Sequence, residues 1–277
     1  MSLTVKAYAK INLWLDITGR RANGYHTLNT VMRRIALYDD VTVGTNGSGD
    51  VTVSCDVQGI PADERNIAFK AAKMFFMQMR KNMGAHIHIV KRIPVEAGLG
   101  GSSADGAAVL CALNELCGKP FGLHELCGIG ATLGADIPFC ITGGTAKCTG
   151  IGDIIEPLEC AEFAALIVKP DAACNTGEAY RKYDGSPIPV KPGFEEYCAS
   201  IAGSRMALAN GLYNVFEELY GNDDIAQIKS ELLGAGALGA GMTGSGSAVF
   251  GIFNDIREAE NAAQLLDVKT KFAVRAI

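Results

Sequence analysis

Ile93-Pro-Val-Glu-Ala-Gly-Leu-Gly-Gly-Ser-Ser-Ala-Asp-Gly-Ala-Ala108 is the stretch on which the fold turns. Ahead of it, residues 85–92 (AHIHIVKR) alternate polar side chains with Ile87 and Ile89, the pattern of a half-buried strand. Behind it, residues 103–117 read as an Ala-rich helix that stops at Gly118, before Pro120. A strand thus passes through a glycine loop into a helix. Glycines, lacking a Cβ, let backbone N–H groups come close to a ligand. The helix N-terminus adds N–H groups with no helical acceptor and the positive end of its dipole, which favour phosphate. Ser102 and Ser103 contribute hydroxyls that can donate further hydrogen bonds or reach a metal. The plainer reading is a tight strand-to-helix turn capped by serine, and the loop alone leaves both open.

Other motifs fail. Gly118-Lys119 is followed by Pro120, so there is no P-loop. Gly239-x-Gly241-x-x-Gly244 matches a dinucleotide fingerprint literally, but it leads into the strand-like Ser247–Phe253 and not a helix. No G-x-S-x-G elbow is present.

Working outward, residues 3–9, 31–43 and 50–56 read as strands, rich in Val, Ile, Thr and Tyr. Helices are expected over 65–81, 124–133, 204–220, 223–233 and 256–266, and strands over 163–168, 238–242, 247–253 and 270–276. Residues 184–195, with Pro187, Pro189 and Pro192, read as a loop. Grouped strands and helices suggest an α+β fold in two lobes, divided near 150–160. A chain of 277 residues is long enough for that, and 48% hydrophobic against 20% charged residues argues against disorder. A net charge of −5 offers no basic field for nucleic acid or an anionic membrane, so an anionic substrate needs local groups. Nine cysteines without a C-x-x-C pair suggest a reducing cytosol. No run approaches a membrane span, and Lys6, Lys10 and Asp16 interrupt any signal-peptide core.

Three segments in this order resemble the GHMP kinase superfamily of galactokinase, homoserine, mevalonate and phosphomevalonate kinases. They are Ala7-Tyr-Ala-Lys10-Ile-Asn12-Leu13, the loop Pro94–Ala108 and Met242-Thr-Gly-Ser-Gly-Ser-Ala248. Gly24-Tyr25-His26-Thr27-Leu28 and Leu133-Gly-Ala-Asp136-Ile-Pro138-Phe139 are similar to the branch whose substrate is a cytidine-diphosphate-linked methylerythritol. The resemblance covers nearly the whole chain. It implies a two-domain α+β GHMP kinase fold: a ribosomal S5 domain 2-like, ATP-binding domain over 1–155 and a ferredoxin-like domain over 156–277, whose last strand could return to the first. It also implies ATP-dependent phosphorylation, with Mg2+, of the 2-hydroxyl of 4-diphosphocytidyl-2-C-methyl-D-erythritol in the non-mevalonate supply of isoprenoid precursors. The expected protein is a cytoplasmic monomer or homodimer with a small-molecule substrate and no nucleic-acid or membrane partner.

By this resemblance Lys10 and Asp136 are the catalytic pair, a point charge on a flexible stem and a carboxylate able to accept the hydroxyl proton. Read singly, they are an edge-strand lysine and a turn aspartate before Pro138. Tyr25 and Tyr180 would hold the base between two rings, since aromatic faces stack on pyrimidines, and His26 would bond its edge. Asn12 and Thr176 align with substrate-contacting positions. ATP contacts fall to Asn66 (alternatively a plain N-cap), Pro94, Gly98, Leu99, Gly100, Gly101, Ser102 and Ser103, with Thr243, Gly244 and Ser245 in support.

Departures are visible. Loops of the family often read GLGGGSSDAA, whereas here 102 is Ser, 104 is Ala and 106 is Gly, so one hydroxyl is displaced. Gly106, inside the expected helix, costs about 1 kcal/mol relative to Ala unless close packing requires it. No carboxylate cluster for magnesium is apparent, so phosphates and water would hold the ion. His86 and His88 alternate like metal ligands but lack a third, and read as a solvated strand face. Two alternatives stand beside this reading: another small-molecule kinase of the homoserine or mevalonate type, against which Gly24-Tyr25-His26 argues, and a non-catalytic nucleotide-binding relative, against which Lys10, Asp136 and the glycine loop argue.

Overall fold

The computed structural model of the chain describes residues 1–171, 174–220 and 223–277. Two long strands come first, β1 (Ser2–Arg20) and β2 (His26–Asn46). The sequence pattern stops the first strand at residue 9 because Lys10, Asn12 and Asp16 break the apolar alternation. In the structure β1 runs on and buries all three, leaving them 4%, 3% and 1% exposed. Such groups are tolerated inside only when bonded, so this segment is built for more than packing.

The chain forms two compact units. One takes in Met1–Ala9, Leu37–Ile93 and Gly100–Gly143, the other Lys10–Ala36, Pro94–Leu99 and Gly144–Ile277. These compact units interleave along the chain, because β1, β2 and the glycine loop each supply residues to both.

In the first unit β3 (Val51–Cys55) runs parallel to β4 (Gly84–Val90), which pairs antiparallel with the end of β2, Asp40 opposite Val90 and Asn46 opposite Gly84. The alternating residues Val41, Val43, Val53, Ile87 and Ile89 are buried on one face, where α1 (Ile67–Gln78) packs. Helix α2 (Gly101–Leu116) packs on α1, and α3 (Leu123–Ala131) and α4 (Ile137–Thr142) pack on α2. The α1–α2 approach explains Gly106: a Cβ there would stand 2.6 Å from Ile67 Cγ2. On the other face of β4, His86 and His88 are exposed and bond Thr52 and Ser54 on β3, 2.8 and 2.9 Å away.

In the second unit β5 (Thr145–Thr149) pairs antiparallel with Thr30–Arg33 of β2, and β6 (Ile154–Pro157) with β5. Neither strand is legible from the sequence pattern. A separate antiparallel sheet has the order β11-β7-β10-β9, formed by β7 (Ala164–Lys169), β9 (Gly239–Met242), β10 (Val249–Phe253) and β11 (Thr270–Arg275). Between β7 and β9 the chain forms α5 (Thr176–Gly185), α6 (Phe194–Ser200), α7 (Arg205–Asn210), the short strand β8 (Tyr213–Asn214), α8 (Val215–Tyr220) and α9 (Asp223–Gly234). Helix α10 (Ile256–Leu265) joins β10 to β11. Counting only the sheet strands, the order is fourth, first, third, second with helical crossovers, the ferredoxin-like arrangement expected of this part of the chain. β11 pairs with β7, and the residues just past it return to β2, Ala276 bridging Ile35 and the Ile277 N–H donating to the Arg34 carbonyl at 3.0 Å.

Two local expectations change. The helix over 204–220 is interrupted, because a Cβ on Gly211 would lie 2.4 Å from the Tyr197 ring and Tyr213–Asn214 extend to pair with Trp14–Leu15 of β1. The loop over 184–195 shrinks to 186–193, since α5 runs through Asp184 and Gly193 starts α6 at φ 93°.

Candidate active site

Within the second unit, Asn12 is the junction on which the first and third motifs meet. Its side-chain oxygen accepts from Lys10 Nζ at 2.7 Å and from the Gly244 N–H at 3.1 Å. Its amide nitrogen donates to Thr30 Oγ1 at 2.9 Å, and its backbone N–H to Thr243 Oγ1 at 3.0 Å. Lys10 is almost fully buried, and its backbone N–H donates to the Leu99 carbonyl at 3.0 Å. An edge-strand lysine held in water does not look like this. A charged group is tolerated inside a protein only when it is bonded, and the Asn12 oxygen supplies such a bond.

Asn214 completes the junction by donating to the carbonyls of Met242 and Gly244, at 2.8 and 2.9 Å. The two glycine segments touch directly: Gly98 has φ 73°, and a Cβ on it would stand 2.1 Å from the Thr243 carbonyl oxygen. Ala248 N–H donates to the Ala97 carbonyl at 3.2 Å, which holds the two loops in register. Ser245 bonds Thr176 Oγ1 at 2.9 Å, joining the third motif to the first residue of α5. Nothing local marks Asn214 in the sequence, because its partners lie 28 and 30 positions away.

In the first unit the glycine loop enters α2. Gly100, at φ 72°, is the N-cap and provides no side-chain cap, so the serine-capped turn is not what forms. Ser102 and Ser103 lie inside the first turn, Ser102 exposed and Ser103 half-buried. The N–H groups of Gly101, Ser102 and Ser103 precede the first helical acceptor, a geometry suited to phosphate oxygens. Ser103 Oγ faces Gly134, 3.8 Å from where its Cβ would be, which sets it beside the segment that carries Asp136. Asp136 is half-buried and opens α4, and its side chain does not cap the helix.

Beneath the start of α2 lies a buried ionic cluster absent from the sequence reading. Lys91 Nζ donates to Asp39 Oδ2 at 2.6 Å and to Asp105 Oδ2 at 2.8 Å, and a Cβ on Gly101 would stand 3.3 Å from that ammonium. Asp39 Oδ1 also accepts the N–H groups of Arg92 and Ile93, at 2.5 and 2.8 Å, so the cluster fixes the strand end to the helix. Burial, aided by the Asp39 carboxylate, pushes Asp105 up to about 7 despite the Lys91 ammonium. Burial disfavours the charged form of Lys91, but the two carboxylates outweigh it and its pKa lies above the ordinary lysine value.

The aromatic candidates gather in the second unit. The turn from β1 to β2 is set by Gly24 at φ 89° and by an Arg21 N–H bond to the Tyr25 carbonyl at 2.7 Å. It leaves Tyr25 60% exposed. His26 stacks on Tyr180, centroids 4.8 Å apart and planes at 25°, so one face of Tyr180 carries the imidazole itself. Phe216 meets Tyr180 edge-on at 5.0 Å. Asn66, by contrast, works as the N-cap of α1, accepting from Ala68 N–H at 2.9 Å and donating to the Pro61 carbonyl at 2.7 Å.

Residues 66–144 match the GHMP kinases N terminal domain and residues 205–267 the GHMP kinases C terminal domain. The 4-diphosphocytidyl-2-C-methyl-D-erythritol kinase of Clostridium tetani (strain Massachusetts / E88) is 42% identical over 271 residues, 96% of each chain. A crystal structure of 4-(cytidine 5'-diphospho)-2C-methyl-D-erythritol kinase superposes with a TM-score of 0.81 at 29% identity, covering 99% of each chain. Homoserine kinase from Cytophaga hutchinsonii, at TM-score 0.79 and 17% identity over 100% of this chain and 94% of its own, shares the fold. The chain belongs to the GHMP kinase family, in the branch of the 4-diphosphocytidyl-2-C-methyl-D-erythritol kinases.

Proposed function

We propose that this chain transfers the γ-phosphoryl group of ATP to the 2-hydroxyl of 4-diphosphocytidyl-2-C-methyl-D-erythritol. The observation that carries the reading is the buried junction in which Asn12 binds Lys10, Thr243 and Gly244 at once. It joins the lysine to the glycine-rich segment 242–248, an arrangement that a fold kept for packing alone does not require. The substrate is read from the names of the relatives, together with Tyr25, His26 and Tyr180.

Phosphoryl transfer asks a protein mainly for positioning and for neutralising charge. In this reading the first-turn N–H groups of α2, with Ser102 and Ser103, take nucleotide phosphate oxygens. Pro94, Gly98, Leu99, Gly100 and Gly101 shape that loop. Mg2+, when bound, would be held mainly by the triphosphate oxygens and water, since such an ion keeps much of its water and needs few protein oxygens, and would neutralise phosphate charge. Lys10 lowers the pKa of the 2-hydroxyl and Asp136 accepts its proton as the oxygen bonds to the γ-phosphorus. The bond from γ-phosphorus to the bridging oxygen breaks, ADP leaves and Asp136 returns the proton to water. Asn12 and Thr176 position the acceptor, Tyr25 stacks on the base, and Tyr180 backs His26. Asn66 supports the adenine side chiefly by holding the start of α1. We place the reaction in the cytoplasm, the compartment that suits nine cysteines without a C-x-x-C pair. Among the described residues no helix is long and apolar enough to cross a membrane.

The test is product analysis by phosphorus NMR after incubation with Mg-ATP and the cytidyl substrate. A single new phosphomonoester coupled to the tertiary 2-position carbon is expected. Phosphate at a primary hydroxyl, or none, would contradict the reading.

A further inference from the structure

His26 is held by α5 on three sides. Tyr180 stacks on its ring, Tyr183 meets it edge-on at 6.0 Å, and Asp184 Oδ1 lies 2.8 Å from Nε2. Tyr180 and Asp184 are four residues apart on α5 and so share one helix face. The His26 side chain is 10% exposed and that of Asp184 31%. Asp184 Oδ2 in turn receives Arg20 Nη1 at 3.3 Å. Tyr183 is itself fixed, its hydroxyl donating to the Ile17 carbonyl at 3.4 Å and the Ile188 carbonyl at 3.3 Å.

We infer that Asp184 sets the tautomer of His26 and thereby selects a substrate base bearing an amino group over one bearing a carbonyl oxygen. The inference rests on the substrate reading above and adds to it the residue that decides the base. An ionised carboxylate only accepts hydrogen bonds, so the hydrogen of the neutral imidazole must sit on Nε2. Nδ1, which bonds no described residue, is then left as an acceptor. It matches the exocyclic amino group of cytosine and repels the oxygen that uracil carries at the same position. Asp184 acts through His26 and is a positioning residue.

The Asp184→Asn variant reverses the logic without removing a ring or a contact. Arg20 can only donate, so it retains the amide oxygen and turns the NH2 group towards His26. Nε2 must then accept, and the proton moves to Nδ1. His26 now presents a donor, which suits a carbonyl.

The experiment compares wild type and Asp184→Asn on the cytidyl substrate and on the same molecule built with uridine, with 15N NMR of the histidine side chains to read the tautomer. For the wild type we expect the Nε2–H tautomer at His26 and at least a ~10-fold preference for the cytidyl substrate, the scale of one mismatched polar contact. In Asp184→Asn we expect the Nδ1–H tautomer and a preference reduced at least ~10-fold through KM, with kcat retained. An Nδ1–H tautomer in the wild type, or an unchanged preference in a folded variant, would overturn the role of Asp184 and leave the substrate reading intact. Wild-type enzyme silent on both substrates would overturn the substrate reading and this inference with it, whereas equal wild-type turnover of both would overturn the base selection alone.

Discussion

Gly98 and Gly244 press backbone against backbone: a Cβ added to Gly244 would stand 2.8 Å from Gly98 Cα, and both residues hold positive φ, 73° at Gly98 and 58° at Gly244. The contact joins two glycine segments almost 150 residues apart in sequence. Gly98→Ala should therefore lose at least about 2 kcal/mol of stability, from left-handed strain added to overlap with Thr243. Gly59 also has positive φ, 88°, but open space around it. Gly59→Ala isolates the strain and should lose only about 1 kcal/mol. Equal losses in paired urea titrations would show that the close approach contributes nothing.

Asn12→Ala removes at once the acceptor of Lys10 Nζ and of the buried Gly244 N–H and the donor to Thr30 Oγ1. Buried polar groups left unbonded cost about 1–3 kcal/mol each. A loss of at least about 2 kcal/mol is expected, with turnover reduced further than stability explains because Lys10 loses its orientation. A variant as active and as stable as wild type would remove the junction from the account.

Asp136→Asn preserves shape and deletes the base. The folded far-UV CD spectrum should be kept while kcat falls at least ~100-fold. Near-normal turnover would exclude Asp136 from proton transfer.

Asp105 gives a pH signature. Its folded-state pKa is pushed up to about 7 from an ordinary 3.8, mainly by burial. The folded chain therefore holds a proton that the unfolded chain releases between those values. Stability from this group is fully present below pH 4 and lost as pH rises through 7. Asp105→Asn, which never ionises, should gain on wild type steadily from pH 4 to 7 and then hold a constant difference. Urea titrations at pH 5, 6 and 8 read that difference directly, and a pH-independent gap would refute it.

Residue order revealed the site unevenly. Lys10 and Thr243–Ser245 stand out only because their short runs resemble those of a known family, whereas Ser102–Ser103 are marked by the glycine loop that leads into a helix. Strand β1 beyond residue 9 was not legible, since buried Lys10, Asn12 and Asp16 mimic the polar face of a loop. Asp184 hides in a proline-flanked stretch read as a loop, and its bond to His26 spans 158 positions. Lys91, Asp39 and Asp105 likewise become a cluster only when β2, β4 and α2 assemble. Asn214 was swallowed by a helical pattern that Gly211 interrupts for the sake of Tyr197. Side-chain bonds between distant positions leave no periodic trace, whereas glycine loops and strand alternation do.

The central claim is best tested by ADP release from the purified chain with Mg-ATP, offered 4-diphosphocytidyl-2-C-methyl-D-erythritol, mevalonate or homoserine in turn. Turnover with the cytidyl compound alone is the predicted result. Turnover with mevalonate or homoserine and none with the cytidyl compound would contradict it.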